Sequence, residues 1–325
     1  AMEVIKGFRP LQPPIEDPLL VGGLRPSQEI VVRSSLSNEV LFLWGPPGTG
    51  KTYTLAAIIV ELALRGERVL ATSISNRAVD ELTEDVYERL SESQEGKRLL
   101  QSRRVLRLGF AGTEVLEHDE LFPHRAEASR VRMEIVRIKK EREKSQDVEE
   151  KARFQQELTL LEDSLASVVK GSLGIASIVF TTVAQVSLIR EFRACEPGSK
   201  AYEKTTRPFD SVICDEASMM NIAHLTPICW WGRKRIVIAG DYRQLGPVVV
   251  STAKLAKRHL HRSLFQLEMS KPENKRMLQL TQQSRMHDSI CRLVSEPFYG
   301  GKLETVQGRD GEQLPPLMEK GKIRA

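Results

Sequence analysis

The sequence predicts an α/β fold: a mainly parallel sheet with helices on both faces, plus an inserted helical hairpin. Two observations carry this. From residue 40 onward short runs that are apolar on both faces alternate with helical patterns, as strands covered on two sides do. Between them lies one long, highly charged stretch whose apolar residues recur at three-to-four spacing, which is the period of a helix.

The predicted strands are Val40 to Trp44, Arg68 to Thr72, Val105 to Leu108, Ile175 to Thr181, Ser211 to Cys214 and Arg235 to Ala239. Ahead of them, the prolines between Pro10 and Pro18 mark an extended arm, residues 1–23. Arg25-Pro26-Ser27-Gln28 then opens a helix, with Ser27 as its expected N-cap. In the charged stretch, Val131, Ile135 and Ile138 face Leu158, Leu161, Leu165 and Val168 across a turn at Ser145-Gln146-Asp147. Asp147 is expected to cap the second helix, with Glu150 completing a capping box. The domain plan is thus an arm (1–23), an α/β domain (24–112 and 171–303), a hairpin insertion (113–170) and a tail (304–325).

Composition bounds the function. The chain has 325 residues, 41% hydrophobic and 28% charged, so a disordered or collagenous state is excluded. Four scattered cysteines with no C-x-x-C pair indicate neither a zinc knuckle nor a disulfide framework. No apolar run reaches membrane-spanning length and no signal-peptide layout opens the chain, so a cytoplasmic, or in a eukaryote nuclear, location is expected. The formal charge of +5 permits nucleic-acid binding without requiring it.

The chemistry begins at Gly45-Pro46-Pro47-Gly48-Thr49-Gly50-Lys51-Thr52, a match to the phosphate-binding loop set between a strand and a helix. Chance gives such a match in a chain this long on the order of 1% of the time, before that context is counted. Glycines let backbone N–H groups converge on phosphates, Lys51 supplies a point charge, and Thr52 offers a hydroxyl to Mg²⁺. Val212-Ile213-Cys214-Asp215-Glu216 is an apolar strand ending in two carboxylates, where α/β sheets bind ligands. Asp215 is expected to hold Mg²⁺ through water, and Glu216 to orient and deprotonate the attacking water. A third strand end, Gly240-Asp241-Tyr242-Arg243-Gln244, brings Gln244 to the same edge.

These segments, with Gln28, Ser75 to Leu82, Arg107-Leu108-Gly109, Gln283-Ser284-Arg285-Met286-His287 and Phe298 to Leu303, occur in one order and spacing. The set resembles the first RecA-like motor domain of superfamily 1 helicases, in the branch of the nonsense-mediated-decay and immunoglobulin-mu-binding helicases. The resemblance implies an ATP- and Mg²⁺-dependent helicase motor acting on single-stranded DNA or RNA. It implies that Gln28 reads adenine, that Gln244 senses the γ-phosphate and that Arg285 adds positive charge to it. It also places Ser73, Asn76, Thr181 and Thr182 in segments that meet the nucleic-acid backbone, and the hairpin where this branch inserts a helical subdomain.

The departures are specific. Ser284 stands where the branch usually has a tyrosine stacked on adenine, a loss of about 0.5–1.5 kcal/mol. Arg77 replaces a small apolar residue. Only a short arm precedes Leu24, and too few residues follow Leu303 for a second motor domain, so this chain alone is not expected to unwind duplexes. The rival expectation is a nucleotide-dependent regulatory or docking module that never moves along nucleic acid.

Overall fold

The computed structural model describes residues 11–17, 19–109, 118–121, 125–145, 147–188, 209–269 and 276–306. Seven strands make the central sheet: β1 (Val40–Trp44), β2 (Val69–Ser73), β3 (Val105–Arg107), β4 (Ile178–Thr182), β5 (Phe209–Cys214), β6 (Gly232–Gly240) and β7 (Met277–Gln279). Their order is β3-β4-β2-β5-β6-β1-β7, and every pairing is parallel. A separate parallel pair joins β8 (Gln282–Gln283) to β9 (Glu304–Thr305).

Residues alternate across the sheet as a pleated strand requires. Leu41 and Leu43 of β1 join Ile58, Phe180, Ile213 and Val237 in one core. Its helices include α1 (Pro26–Ser37), α2 (Lys51–Leu64), α3 (Asn76–Ser91) and α4 (Gln94–Gln101). Val40, Phe42 and Trp44 point the other way and join Val179, Val212, Leu225 and Phe265. Two helices of the charged stretch, α5 (Arg125–Lys144) and α6 (Val148–Ile175), precede β4, and α7 (Val183–Leu188) follows it. On the second face lie α8 (Ile222–Trp230), α10 (Leu264–Met269) and α11 (Asp288–Tyr299), with the short α9 (Lys254–Leu260) exposed between α8 and α10.

Strand order positions the site. The chain leaves β1 through α2 and returns as β2, but β5 and β6 later insert between those two strands. The C-terminal ends of β1, β6 and β5 therefore stand side by side, and Gly45 N–H donates to Gly240 C=O at 3.1 Å to tie the first two together.

The arm is extended, and α1 and α2 hold its described part. Glu61 of α2 is fully buried and its carboxylate accepts the backbone N–H groups of Leu20 (2.8 Å) and Val21 (3.1 Å) and the Arg65 guanidinium (2.7 Å). Asn38 bonds the backbone of Gln12 in both directions.

Three local expectations change. The first helix is capped at Arg25, not Ser27: Pro26 occupies N1, where its missing N–H costs nothing, and the Gln28 side chain accepts from Arg25 N–H at 3.0 Å. Ile175 belongs to α6, which runs five residues past 170, and the strand starts only at Ile178, where pairing with Val69 and Val105 begins. At the hairpin turn Asp147 does cap α6 through Glu149 N–H (2.9 Å). Glu150, however, accepts from the Ser145 hydroxyl (2.5 Å), which itself accepts Asp147 N–H (3.2 Å), so Ser145 takes the place assigned to Glu150. Gln146, Leu165 and Val168 lie outside what is described there. The hairpin holds a small core of Ile135, Ile138 and Leu158 beneath surface ion pairs such as Lys139 with Glu162 at 3.7 Å.

Phe180 is fully buried in the middle of β4. Phe180→Ala is expected to lower stability by about 3–5 kcal/mol, read as a shift of the urea midpoint with an unchanged slope.

Candidate nucleotide-binding site

The loop after β1 takes two left-handed residues, Gly48 (φ 77°) and Gly50 (φ 76°), which only glycine adopts without strain. Neighbours press on both. A Cβ on Gly48 would stand 2.6 Å from the Arg285 Cβ, and one on Gly50 2.6 Å from the Gln28 amide nitrogen. Thr49 closes the turn, its hydroxyl donating to Pro46 C=O at 2.7 Å. Gln28 is buried and donates to Thr49 C=O at 3.3 Å, so it lies against the loop. From the other side Ser284 N–H donates to Gly48 C=O at 3.0 Å. Lys51 and Thr52 follow in the first turn of α2, both partly exposed.

The sheet edge brings the two carboxylates to this lysine. Lys51 Nζ lies 2.5 Å from Glu216 Oε1 and 3.3 Å from Asp215 Oδ1. Burial by itself would lower the Lys51 ammonium, but Asp215 and Glu216 outweigh it and the value rises. Burial raises Asp215, reinforced by Glu216 and opposed by Lys51. The signs differ in meaning. A carboxylate raised in the folded state disfavours folding at neutral pH, whereas an ammonium raised there favours it. Glu216 sits at φ 53°, a left-handed backbone that costs a non-glycine residue about 1–2 kcal/mol. Strain at this position aims its partly exposed carboxylate at the loop while Asp215 stays buried.

A buried node joins the third strand end to the loop. Asp241 has no exposure and accepts from Trp44 Nε1 (3.0 Å), Arg243 N–H (3.0 Å) and the Tyr299 hydroxyl (3.0 Å). It thereby fixes the last residue of β1, the Gln244 turn and α11 relative to one another. Gln244 is held by its backbone N–H on Asp241 C=O (3.0 Å), with its side chain exposed. Arg285 is exposed, and the buried Gln283 shapes its turn by accepting Arg285 N–H (2.9 Å) and Met286 N–H (2.6 Å).

Sequence reasoning assigned no role to Asp241, Gln283 or Tyr53. All three lie within or beside the motifs, which was the available signal. Tyr53, one residue past Thr52, donates its hydroxyl to Gly23 C=O at 3.0 Å, and the Arg89 guanidinium lies 3.9 Å from its ring centroid.

The four candidate nucleic-acid residues separate. β2 and β4 pair Ser73 with Thr182 and Thr72 with Thr181. Ser73 and Thr181 are fully buried and their hydroxyls have no hydrogen-bond partner among the described residues, so neither reaches the surface in this arrangement. Thr182 is partly exposed and its hydroxyl accepts Gln185 N–H at 3.3 Å. Asn76 is exposed and accepts from Arg107 at 3.1 Å; Arg107, fully buried, also pairs with Asp80 at 2.8 Å.

Residues 28–250 match a family model described as an AAA domain, and residues 260–322 match a second model of the same description. The chain belongs to the AAA domain family. This AAA domain is 32% identical to the DNA-binding protein SMUBP-2 of Mesocricetus auratus, over 90% of the chain and 29% of that protein. It is 28% identical to the DNA polymerase alpha-associated DNA helicase A of Schizosaccharomyces pombe, over 86% of the chain and 40% of the relative. The ATP-dependent helicase upf1 of the same yeast is 28% identical over 86% of the chain and 28% of its own length. The resemblance to superfamily 1 helicases drawn from the motifs therefore holds across most of the chain, which spans less than half of each of these relatives. Among the described residues no helix is long and apolar enough to cross a membrane.

The Asp241 node of this AAA domain gives a pH prediction. Burial and the Asp241 carboxylate push the Tyr299 phenol well above its ordinary value. A raised folded value stabilises below the unfolded value of about 10 and is lost as pH climbs past it. Tyr299→Phe is expected to cost about 1.5–3 kcal/mol at neutral pH, through the bond lost to a charged group, and to flatten the alkaline decline above about pH 10 in urea titrations.

Proposed function

We propose that this domain binds ATP with Mg²⁺ and hydrolyses it, and that in a longer protein with a second RecA-like domain it drives movement along single-stranded DNA or RNA. The observation that carries this reading is the Lys51 ammonium held within 3.3 Å of both Asp215 and Glu216, directly behind the phosphate loop. A loop that gathers backbone N–H groups recognises phosphate. A strand-end carboxylate pair beside it supplies a cation ligand and a base. The relatives named as ATP-dependent or DNA helicases support the same reading.

Each residue then has work to do. Gly45, Pro46, Gly48, Thr49 and Gly50 present the loop backbone, and Lys51 exchanges its carboxylate partners for phosphate oxygens. Thr52 and Asp215 fit a hard cation, since one is a hydroxyl in the first turn of α2 and the other a buried carboxylate already beside a positive charge. Mg²⁺ held there would neutralise charge on the phosphates. Glu216, released from Lys51, takes the proton of the attacking water. Gln28 presents its amide to the base, Gln244 and Arg285 face the γ-phosphate, and Ser284 supplies no stacking ring. Asn76 and Thr182 offer exposed groups to a nucleic-acid backbone. Such a motor acts in the cytoplasm or nucleus.

Lys51→Ala is expected to weaken ATP binding about 10–100-fold by titration calorimetry, the equivalent of a charge-assisted hydrogen bond. Glu216→Gln is expected to keep binding and lose about 10²–10⁴ in phosphate release. Equal ATP affinity in wild type and Lys51→Ala overturns the assignment.

A further inference from the structure

From Tyr242 to Leu267 the chain contains no aspartate or glutamate, yet it carries Arg243, Lys254, Lys257, Arg258 and Arg262 together with His259 and His261. The whole chain's +5 resides in this segment, because the remaining 43 basic residues equal the 43 acidic ones. The structure leaves the charge uncovered. No side chain of α9 is buried, and Lys254, Lys257, Arg258 and Arg262 are all exposed. None of these four forms an ion pair among the described residues, while cations elsewhere on the domain do, among them Arg33, Arg65, Arg107, Arg233 and Arg235.

Lys254, Lys257 and Arg258 stand at i, i+3 and i+4, on one face of α9, where like charges repel and destabilise a helix. Attraction to the negative end of the helix accounts for Lys257 and Arg258 in the last turn. It does not account for Lys254 in the first turn, where a cation is disfavoured, or for Arg262 beyond the helix. An external polyanion relieves all four.

We infer that α9 and the residues up to Arg262 form a second, sequence-independent contact surface for the phosphate backbone of single-stranded nucleic acid, separate from Asn76 and Thr182. Long flexible stems bearing point charges suit phosphates, and no Phe, Tyr or Trp occurs between Tyr242 and Phe265. The surface also connects to the nucleotide site. The segment starts at Arg243 and Gln244, immediately after the Asp241 node, at the strand end bonded to Gly45. A strand bound on α9 is one loop away from the residues that face the γ-phosphate.

This inference rests on the nucleic-acid reading above, and one experiment separates the two. Fluorescence anisotropy with labelled oligothymidylate and oligouridylate, across a salt series, compares wild type with Lys254→Glu/Lys257→Glu/Arg258→Glu/Arg262→Glu and with the corresponding four-fold glutamine variant. Both variants are expected to bind at least about tenfold more weakly on both probes and to keep wild-type ATP affinity. The slope of log affinity against log salt should become shallower by about 0.7 for each phosphate contact removed. If the charge-reversal variant fails to fold, the glutamine variant decides. Wild-type binding with unchanged affinity and slope in the glutamine variant overturns this inference alone, and labelled polyglutamate that binds wild type but not the glutamine variant then reassigns the face to an acidic protein. A wild type that binds neither probe overturns the nucleic-acid reading along with it.

Discussion

A lysine ammonium and two carboxylates meet at the C-terminal edge of the sheet, brought there by the strand order. Lys51 belongs to α2 and the carboxylates to the end of β5, more than 160 positions later in the chain. The ion pair is mutual compensation for burial. Each charge alone would be expensive to bury, and pairing offsets part of that cost. Burial raises the Asp215 carboxyl even with Lys51 beside it.

Around that site the fold makes rigid what must not move. Parallel pairing of β1 and β6, and of β5 and β6, sets the three strand ends in register. Asp241 then bonds groups from β1, from the Gln244 turn and from α11, while Gln283 shapes the Arg285 turn from the opposite side.

The periphery is built by different physics. Among the described residues the hairpin of α5 and α6 has a core of only Ile135, Ile138 and Leu158, supplemented by local capping and surface ion pairs, which contribute little each. The arm is held by buried polar groups, Glu61 and Asn38, that satisfy its backbone, and by Leu11, Leu19 and Val21 packed against the first core. Among the described residues α9 buries no side chain and Lys254, Lys257 and Arg258 form no ion pair.

The sheet, the hairpin and the phosphate loop were legible because they depend on local pattern: continuous apolar runs, three-to-four spacing, and a glycine-rich loop between a strand and a helix. Boundaries were less so. Ser27 and Glu150 carry good capping chemistry, and only the placement of Pro26 and of the Ser145 hydroxyl moves those roles to Arg25 and Ser145. Burial likewise withdraws Ser73 and Thr181 from the surface, although hydroxyls at a strand end look equally available on paper. The residue types able to bind phosphate, carry a cation and move a proton follow from the sequence, because that chemistry needs those side chains at that spacing. Which of them meet, and how Asp241, Gln283 and Glu216 are aimed, follows from strand order and from one left-handed backbone, both products of packing between segments far apart in the chain.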